Sequence, residues 1–250
     1  MGRDPTAGQV AELQKQTDIE PELPVAKIRV FQQTGYWPLF VTGSNLYYQH
    51  TLCGEHAVQG AISPNSGRPL LRYFALDLRD DRLGLVSFPT QRLDLFFAWT
   101  CDISRDVFTY CIQSEGRIEI LDYRQGRAYS DFPYTNYPTY FPARLFELRK
   151  ITPEEQKTIA AVDLRRLKSS TVHDDRPDLV RPQHQICGEP YLVNSAREVI
   201  CPVCQREMPT YASASDETMS ERGFVHSNFV QVLFHLCVSC AVVTAYQLAD

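Results

Sequence analysis

Positive charge, lysine and long apolar runs are scarce in this chain. Its 250 residues include 25 basic and 30 acidic side chains, giving a net charge of −5, and only 5 of the basic residues are Lys. Because such a chain has no general basic field, we expect it to bind no nucleic acid. No apolar stretch approaches the roughly 18 residues of a membrane helix, so we also expect no membrane partner.

The first residues of the chain lack the apolar core of a signal peptide. Residues 1–23 are mostly polar and predict an N-terminal arm. Without an export signal we expect a cytoplasmic protein, and in the cytoplasm cysteines stay reduced. The chemistry of the 8 cysteines therefore points to metal binding or packing more than to disulfides.

The motifs of several common enzyme classes are also missing. The chain has no P-loop, no G-x-G-x-x-G after a predicted strand, no G-x-S-x-G elbow and no H-E-x-x-H pair. The sequence thus favours a protein that is not an enzyme, and it predicts no catalytic residue and no organic cofactor.

Two C-x-x-C pairs near the C-terminus are the strongest pattern in the sequence. Cys201 and Cys204 form the first pair, and Cys237 and Cys240 form the second after a gap of 32 residues. Two such pairs present four sulfurs at tetrahedral corners, which suits Zn²⁺. Four thiolates leave no open position for water, so the spacing predicts a structural zinc rather than a catalytic one. Four buried free thiols, or two disulfides in an exported chain, are the alternatives.

Short apolar segments on both sides of each pair predict a zinc ribbon. The predicted strands cover residues 197–200, 208–212, 229–237 and 242–246. Gln205 and Ala241 follow the second cysteine of each pair, where such turns often carry Gly to allow a positive φ. His226 or His235 in place of one cysteine is a further alternative, although four thiols already complete the coordination sphere.

Most of the remaining chain predicts an α+β fold with a large, mostly antiparallel sheet and few helices. We expect residues 24–182 to form a sheet-rich domain and residues 183–250 to form the C-terminal part of the same fold, which carries the zinc ribbon. The candidate strands before the first helix cover residues 25–31, 37–41, 70–78, 83–88, 93–100, 106–113, 117–123 and 143–151.

One helix has clear start signals. Thr152 supplies a capping hydroxyl, Pro153 occupies the first helical position and Glu155 follows three residues after the cap. An apolar stripe then predicts a helix that continues to about Lys168. The polar segment 169–182 is the predicted boundary between the two parts of the fold.

A second cluster raises the hypothesis of an enzyme. His50, Cys53 and His56 are three residues apart, and Cys with His is the pairing used for thiolate nucleophiles. A small hydrolase or transferase would use these residues, with His184 and the acidic pair 174–175 nearby. The competing interpretation is a loop whose cysteine is packed in the core.

An aromatic and proline-rich segment covers residues 127–142. Its three prolines exclude a helix and a central strand, so we expect an extended segment at the edge of the sheet. It either lines a groove that binds a peptide, which implies a protein partner, or connects two elements and seals the edge of the core. The oligomeric state is left open.

Two segments carry a resemblance to a known family. Ile186, Gly188, Pro190 and Val193 match a Gly-Gly-x-Pro turn and short strand, with Cys187 in place of the first Gly. The segments 74–78 and 95–97, with Pro89 between them, look like two central strands of that family. On these residues the chain resembles the YwqG-like family of uncharacterised, mostly bacterial proteins, some of which also carry a C-terminal pair of C-x-x-C turns.

The resemblance implies an α+β fold and no established activity, so no catalytic residue is carried over. Small acidic proteins of this style include antidotes to bacterial toxins, and an immunity protein that neutralises a toxin is therefore one functional hypothesis. The leading hypothesis is a non-enzymatic intracellular binding protein that is stabilised by one structural zinc.

Overall fold

The protein folds around one large antiparallel sheet. A computed structural model describes residues 28–43, 46–97, 107–123, 140–161, 183–192, 196–215 and 230–249. Several predictions concern residues outside these ranges: the arm 1–23, most of the segment 127–142, the boundary 169–182 with its acidic pair, and His226.

Eleven strands are present in the described part of the chain. They are β1 (Tyr36–Phe40), β2 (His50–Leu52), β3 (Leu71–Asp77), β4 (Arg92–Phe97), β5 (Phe108–Ile112), β6 (Ile118–Asp122), β7 (Arg144–Lys150), β8 (Gln185–Ile186), β9 (Thr210–Ser215), β10 (Val230–Cys237) and β11 (Val242–Ala249). Their order in the sheet is β4-β3-β2-β7-β1-β8-β9-β10-β11-β5-β6. Each neighbouring pair is antiparallel, which confirms the predicted sheet-rich, mostly antiparallel fold.

The sheet curls, so that β4 at one end of the strand order approaches β5 near the other end. The hydroxyl of Tyr110 on β5 accepts a hydrogen bond from the Phe96 amide (3.0 Å) and donates one to the Asp94 carbonyl (3.2 Å), both on β4. Tyr110 is fully buried, so these bonds satisfy the polar end of a ring that otherwise packs in the core. One side chain thereby occupies backbone groups on β4, which is the edge strand of the sheet among the described residues.

Three predicted strands do not form in the described residues. Residues 28–31 and 197–200 contribute only isolated bridges, at Val30 and Ile200. Residues 83–88 do not form a strand because the chain makes a 3-10 turn at Asp81–Leu83 and reverses at Gly84, where φ is 68°. The Asp80 carboxylate starts the turn by accepting a hydrogen bond from the Arg82 amide. The apolar alternation that suggested a strand comes from Leu83 and Leu85, which are buried at the turn instead.

The helix α1 (Pro153–Ala161) confirms the predicted start signals. Thr152 Oγ1 accepts a hydrogen bond from the Glu155 amide (3.2 Å), and the Glu155 carboxylate accepts one from the Thr152 amide (2.9 Å). Ile159 on the inner face packs in a small cluster with Trp37, Ile151 and Tyr191. The predicted extension to Lys168 lies outside the described residues. In the described part of the chain no helix has the length and apolar character needed to cross a membrane.

The C-terminal strands lie inside the sheet. Strands β9, β10 and β11 stand between β8 and β5, and β8 pairs with β1 from the other end of the chain. Residues from both predicted parts of the fold therefore share one sheet and one core. This position places the two C-x-x-C pairs beside the centre of the sheet.

Candidate metal centre

The first C-x-x-C pair lies in a tight hairpin, which we call the first knuckle (residues 200–207). Ile200 and Glu207 form an antiparallel bridge at its base. The Cys201 amide donates to the Arg206 carbonyl (2.9 Å), and the Gln205 amide donates to the Cys201 carbonyl (2.9 Å). These bonds fold the turn back on itself, so that Cys201 and Cys204 lie on the same side.

The second pair lies at the end of β10, in a segment that we call the second knuckle (residues 237–241). The chain leaves β10 in a 3-10 turn, Val238–Cys240, and β11 begins immediately after Ala241. Because β10 and β11 are paired along their full length, the position of this knuckle is set by a regular hairpin. Gln205 and Ala241 have φ values of 57° and 51°, so both adopt the left-handed conformation that glycine would favour.

The two knuckles bring four sulfurs together. The Sγ atoms of Cys201, Cys204, Cys237 and Cys240 all lie within 4.8 Å of one another, and the Cys204 and Cys237 sulfurs are 3.6 Å apart. A tetrahedral ion with metal–sulfur bonds of about 2.3 Å requires sulfur separations of about 3.8 Å. All four are free thiols, so the alternative of two disulfides is wrong. The four residues can hold one metal ion.

An arginine side chain lies against the cluster. The guanidinium of Arg206 donates to Cys204 Sγ (3.5 Å) and to the hydroxyl of Ser239, so one side chain joins the two knuckles. Its hydrogen bond lowers the pKa of the Cys204 thiol to about 6. Burial raises the pKa of Cys201, and burial together with the neighbouring sulfurs raises the pKa of Cys240 to about 12. A metal ion would replace the protons on these thiols.

Arg206 is the functional residue that the sequence analysis missed. A basic residue two positions after a C-x-x-C pair is the only signal available, and it is weak without knowledge of which knuckle faces the side chain. By contrast, His235 does not join the cluster. Its Nδ1 lies 3.0 Å from the Met208 carbonyl oxygen, and the ring stacks on Tyr246. His235 is therefore an ordinary core residue of β10.

Two of the three residues of the hypothetical Cys and His site are buried, and the third, His56, is half-buried and lines the groove described below. Cys53 is 1% exposed, and burial raises the pKa of its thiol to about 12. His50 is fully buried between Asp80, whose carboxylate lies 3.0 Å from Nε2, and the Asp77 amide, which donates to Nδ1 (3.1 Å). The ring nitrogens of His50 are thus committed to the core. A thiol with a raised pKa is a poor nucleophile, so these positions weigh against the enzyme hypothesis.

His56 and His184 also have separate surroundings. Nε2 of His56 lies 2.7 Å from the Leu70 carbonyl oxygen, so the ring N–H donates a hydrogen bond to that oxygen. His184 is 2% exposed, and its Nδ1 accepts a hydrogen bond from the Ser215 amide (3.2 Å). Both rings tie loops to neighbouring parts of the sheet.

A groove of about 1080 Å³ is present away from the cysteines. Its walls come from the loop 55–59, the connection between β3 and β4, and the turn 114–117. The wall contains a charged cluster, because the Asp94 carboxylate accepts from Arg72 (3.3 Å), whose side chain is largely buried, and from Arg92 (2.9 Å), whose side chain is half exposed. Val86 at the rim is 83% exposed. The groove thus combines an apolar rim with charged walls.

Comparisons of the chain with protein-family models, with curated proteins and with solved structures found no match. The resemblance to the YwqG-like family stays a prediction.

Proposed function

We propose that the protein is a non-enzymatic binding protein whose C-terminal strands are held by one structural zinc ion. The observation that carries the proposal is the convergence of four sulfurs from two knuckles that are far apart in sequence. Four thiolates are the ligand set of structural zinc, and they leave no coordination position for substrate or water. The two knuckles and their flanking strands then form a zinc ribbon inside the larger sheet.

The charge at the centre agrees with this assignment. A Zn²⁺ ion with four thiolates has an excess of negative charge, and the Arg206 guanidinium offsets part of it by donating to Cys204. Tetrahedral sulfur sites also take iron, which would give a coloured protein. Metal analysis therefore distinguishes the two ions directly.

Metal content of the purified full chain tests the proposal. We expect about one zinc per chain, and we expect Cys204→Ser to lose it. Cys111→Ser is the matched control, because Cys111 is a free cysteine whose sulfur lies 3.6 Å from the Cys240 carbonyl oxygen without joining the cluster. A protein that contains no zinc when it is purified without chelator, or that keeps its zinc in Cys204→Ser, would contradict the proposal.

The groove is the proposed binding surface, and an extended segment of a protein partner is its proposed occupant. An apolar rim beside paired charges suits a polypeptide, which offers apolar side chains and both kinds of hydrogen-bonding group. A photo-crosslinking amino acid at Val86, introduced in the cells that make the protein, should give one discrete crosslinked protein. The same group at Tyr47 is the control, because Tyr47 is equally exposed at 83% and does not line the groove. Equal crosslinking from both positions would rule out a specific groove.

The enzyme hypothesis has its own test. With the cysteine cluster filled by metal, alkylation of Cys53 at neutral pH should be slow, because the thiol is buried and its pKa is about 12. Rapid alkylation of Cys53 would instead favour a thiol-dependent enzyme over a non-enzymatic binding protein.

A further inference from the structure

A six-residue pattern occurs twice in the chain. His50 begins the segment His-Thr-Leu-Cys-Gly-Glu, and His184 begins the segment His-Gln-Ile-Cys-Gly-Glu, 134 residues later. Each segment contains a very short strand, β2 or β8, followed by a sharp turn. Similar sequences at similar positions suggest that the chain contains the same unit twice.

The two histidines make the same backbone contact. The Asp77 amide at the end of β3 donates to Nδ1 of His50 (3.1 Å). The Ser215 amide at the end of β9 donates to Nδ1 of His184 (3.2 Å). In both cases the ring is buried and ties a short strand to the end of the next strand in the chain.

The two cysteines that follow also correspond. Cys53 and Cys187 have φ values of 58° and 56°, an uncommon conformation for a residue other than glycine. The Cys53 amide donates to the Tyr73 carbonyl (2.9 Å), and the Cys187 amide donates to the Tyr211 carbonyl (2.6 Å). Tyr73 and Tyr211 are fully buried. A strained turn with the same hydrogen bond to a buried tyrosine occurs at both places.

The strand order has the same twofold relation. The first unit contains β1 to β4, and the second contains β7 to β10. In the sheet, the order β4-β3-β2-β7 from one edge meets β1-β8-β9-β10, so corresponding strands are equally far from the β7–β1 pair. The first strand of each unit pairs with the second strand of the other unit, because β1 pairs with β8 and β7 pairs with β2. The two units are therefore interlocked at the centre of the sheet.

The first unit has a counterpart of the first knuckle, which we call the serine hairpin (residues 62–69). The Ser63 amide donates to the Arg68 carbonyl (2.8 Å), and the Gly67 amide donates to the Ser63 carbonyl (2.9 Å). The same two bonds occur in the first knuckle, 138 residues later, at 2.9 and 2.9 Å. Both hairpins are closed by an antiparallel bridge between their end residues. The φ of Gly67 is 66°, against 57° at Gln205.

Serine hydroxyls stand at the two ligand positions of this hairpin. Ser63 takes the place of Cys201, and Ser66 takes the place of Cys204. The Ser66 amide donates to Ser63 Oγ (3.3 Å), and the Arg68 amide donates to Ser66 Oγ (3.3 Å). In the first knuckle, backbone amides donate to the corresponding sulfurs. A neutral hydroxyl is not a ligand for structural zinc, so the turn is kept by hydrogen bonds alone.

We propose that the chain contains two copies of one knuckle-bearing unit, and that the serine hairpin is the metal-free counterpart of the first knuckle. The molecule then has two hairpins of this geometry, the serine hairpin and the first knuckle, of which only the first knuckle holds metal. The stoichiometry of one ion rests on the proposed structural zinc. The correspondence of the two hairpins does not, because it stands on backbone geometry.

Restoring the thiols tests the geometry in the full chain. In Ser63→Cys/Ser66→Cys, with the C-terminal cluster already saturated with Cd²⁺, we expect further Cd²⁺ to bind with thiolate charge-transfer absorption. The control is Asn65→Cys/Arg68→Cys, which has the same spacing in the same hairpin but is shifted out of register. We expect the first variant to bind the added Cd²⁺ at least about tenfold more tightly. Equal affinity in the two variants, or no binding by the first, would overturn the proposal.

Hydrogen exchange of the wild-type chain gives a second measurement that needs no folded variant. After chelation at neutral pH, the exchange rates of the Cys201 and Gln205 amides should rise at least about tenfold more than those of the Ser63 and Gly67 amides, which lose only the stability shared by the whole protein. An equal rise in both hairpins would show that the first knuckle depends on metal no more than the serine hairpin does, and would overturn the proposal. A wild-type chain without zinc would contradict the proposed function but would leave the cadmium test of the hairpin intact.

Discussion

Arg206 contacts both knuckles through one side chain, and it does so without being a ligand. Its guanidinium donates to the Cys204 sulfur on one side and to the Ser239 hydroxyl on the other. Because hydrogen bonds to a thiolate reduce its charge and fix its orientation, such neighbours of the ligands change metal affinity.

We therefore predict that Arg206→Ala lowers the affinity for zinc by about tenfold or more. The measurement is competition with a chromophoric chelator at neutral pH. Arg29→Ala is the control, since Arg29 is an exposed arginine that pairs with the adjacent Glu207 at 3.1 Å but does not contact a cysteine. Equal affinities of the two variants would mean that the contact with Cys204 is of no energetic consequence.

Buried histidines make the fold sensitive to acid. Nε2 of His184 and of His235 has no hydrogen-bond partner among the described residues. Burial lowers the pKa of His184 to about 3 and that of His235 to about 4. The unfolded chain takes up protons at an ordinary histidine pKa of about 6.5, whereas the folded chain does not until the pH is far lower. Stability is therefore complete above about pH 6.5 and falls as the pH decreases below it.

We predict that His184→Gln loses less folding stability than the wild type when the pH falls from 7 to 5. At pH 5, protonation of one such histidine stabilises the unfolded state by about 2 kcal/mol, and glutamine takes up no proton. Urea unfolding at pH 7 and pH 5 measures the difference, and metal release at pH 5 affects both proteins alike. The variant keeps a side-chain oxygen that can accept from the Ser215 amide. An unchanged pH dependence would show that His184 is already charged or exposed in the folded state.

Among the elements, α1 illustrates structure that is determined by neighbouring residues alone. The reciprocal bonds between Thr152 and Glu155 satisfy two amides that a helix leaves free at its start. All the groups involved lie within four residues, so the sequence pattern was sufficient to predict them.

We predict that Thr152→Ala destabilises the protein by about 1 kcal/mol, because the Glu155 amide loses its acceptor. Chemical unfolding measures the effect. Thr158→Ala is the control within the same helix, where the exposed hydroxyl only bonds to the Glu154 carbonyl (3.1 Å) and its removal should change stability by less than about 0.5 kcal/mol. A loss of similar size in both variants would contradict the capping role.

Strands β2 and β8 show the opposite case. They contain 3 and 2 residues, too few for any alternation of apolar and polar side chains to be visible in the sequence. Their extended conformation comes from pairing on both sides, to β3 and β7 for β2 and to β1 and β9 for β8. Such elements exist because of their neighbours, and the sequence analysis missed both.

At the scale of the whole molecule, the candidate metal centre lies in the middle of the sheet order rather than on an appended module. Strand β10 pairs with β9 and β11, and β11 continues the sheet to β5. Loss of metal therefore affects strands on which both ends of the sheet depend.

We predict that chelation, or Cys204→Ser, lowers the melting temperature of the entire protein by about 10 °C or more in a single transition. The loss of several kcal/mol of binding energy shifts the transition of a domain of this size by that order. Calorimetry with and without chelator is the measurement, and Cys111→Ser should behave as the wild type. Two separate transitions, with the N-terminal strands unaffected, would indicate that the metal stabilises an independent module.

The sequence by itself determined the features that depend on a few adjacent residues. The C-x-x-C spacing predicted which four cysteines converge, since each pair sits in a turn whose geometry is local. The start of α1 and most long strands of the sheet followed from capping and alternation in the same way.

Only the tertiary structure decided the features that depend on distant partners. Burial of Cys53, the contact of Arg206 with both knuckles and the existence of β2 and β8 each need residues that are far away in the chain. The serine hairpin belongs with them, because serines in place of cysteines hide its relation to the first knuckle until the hydrogen bonds are compared. Folding brings those partners together through long-range pairing, and no short stretch of sequence contains that information.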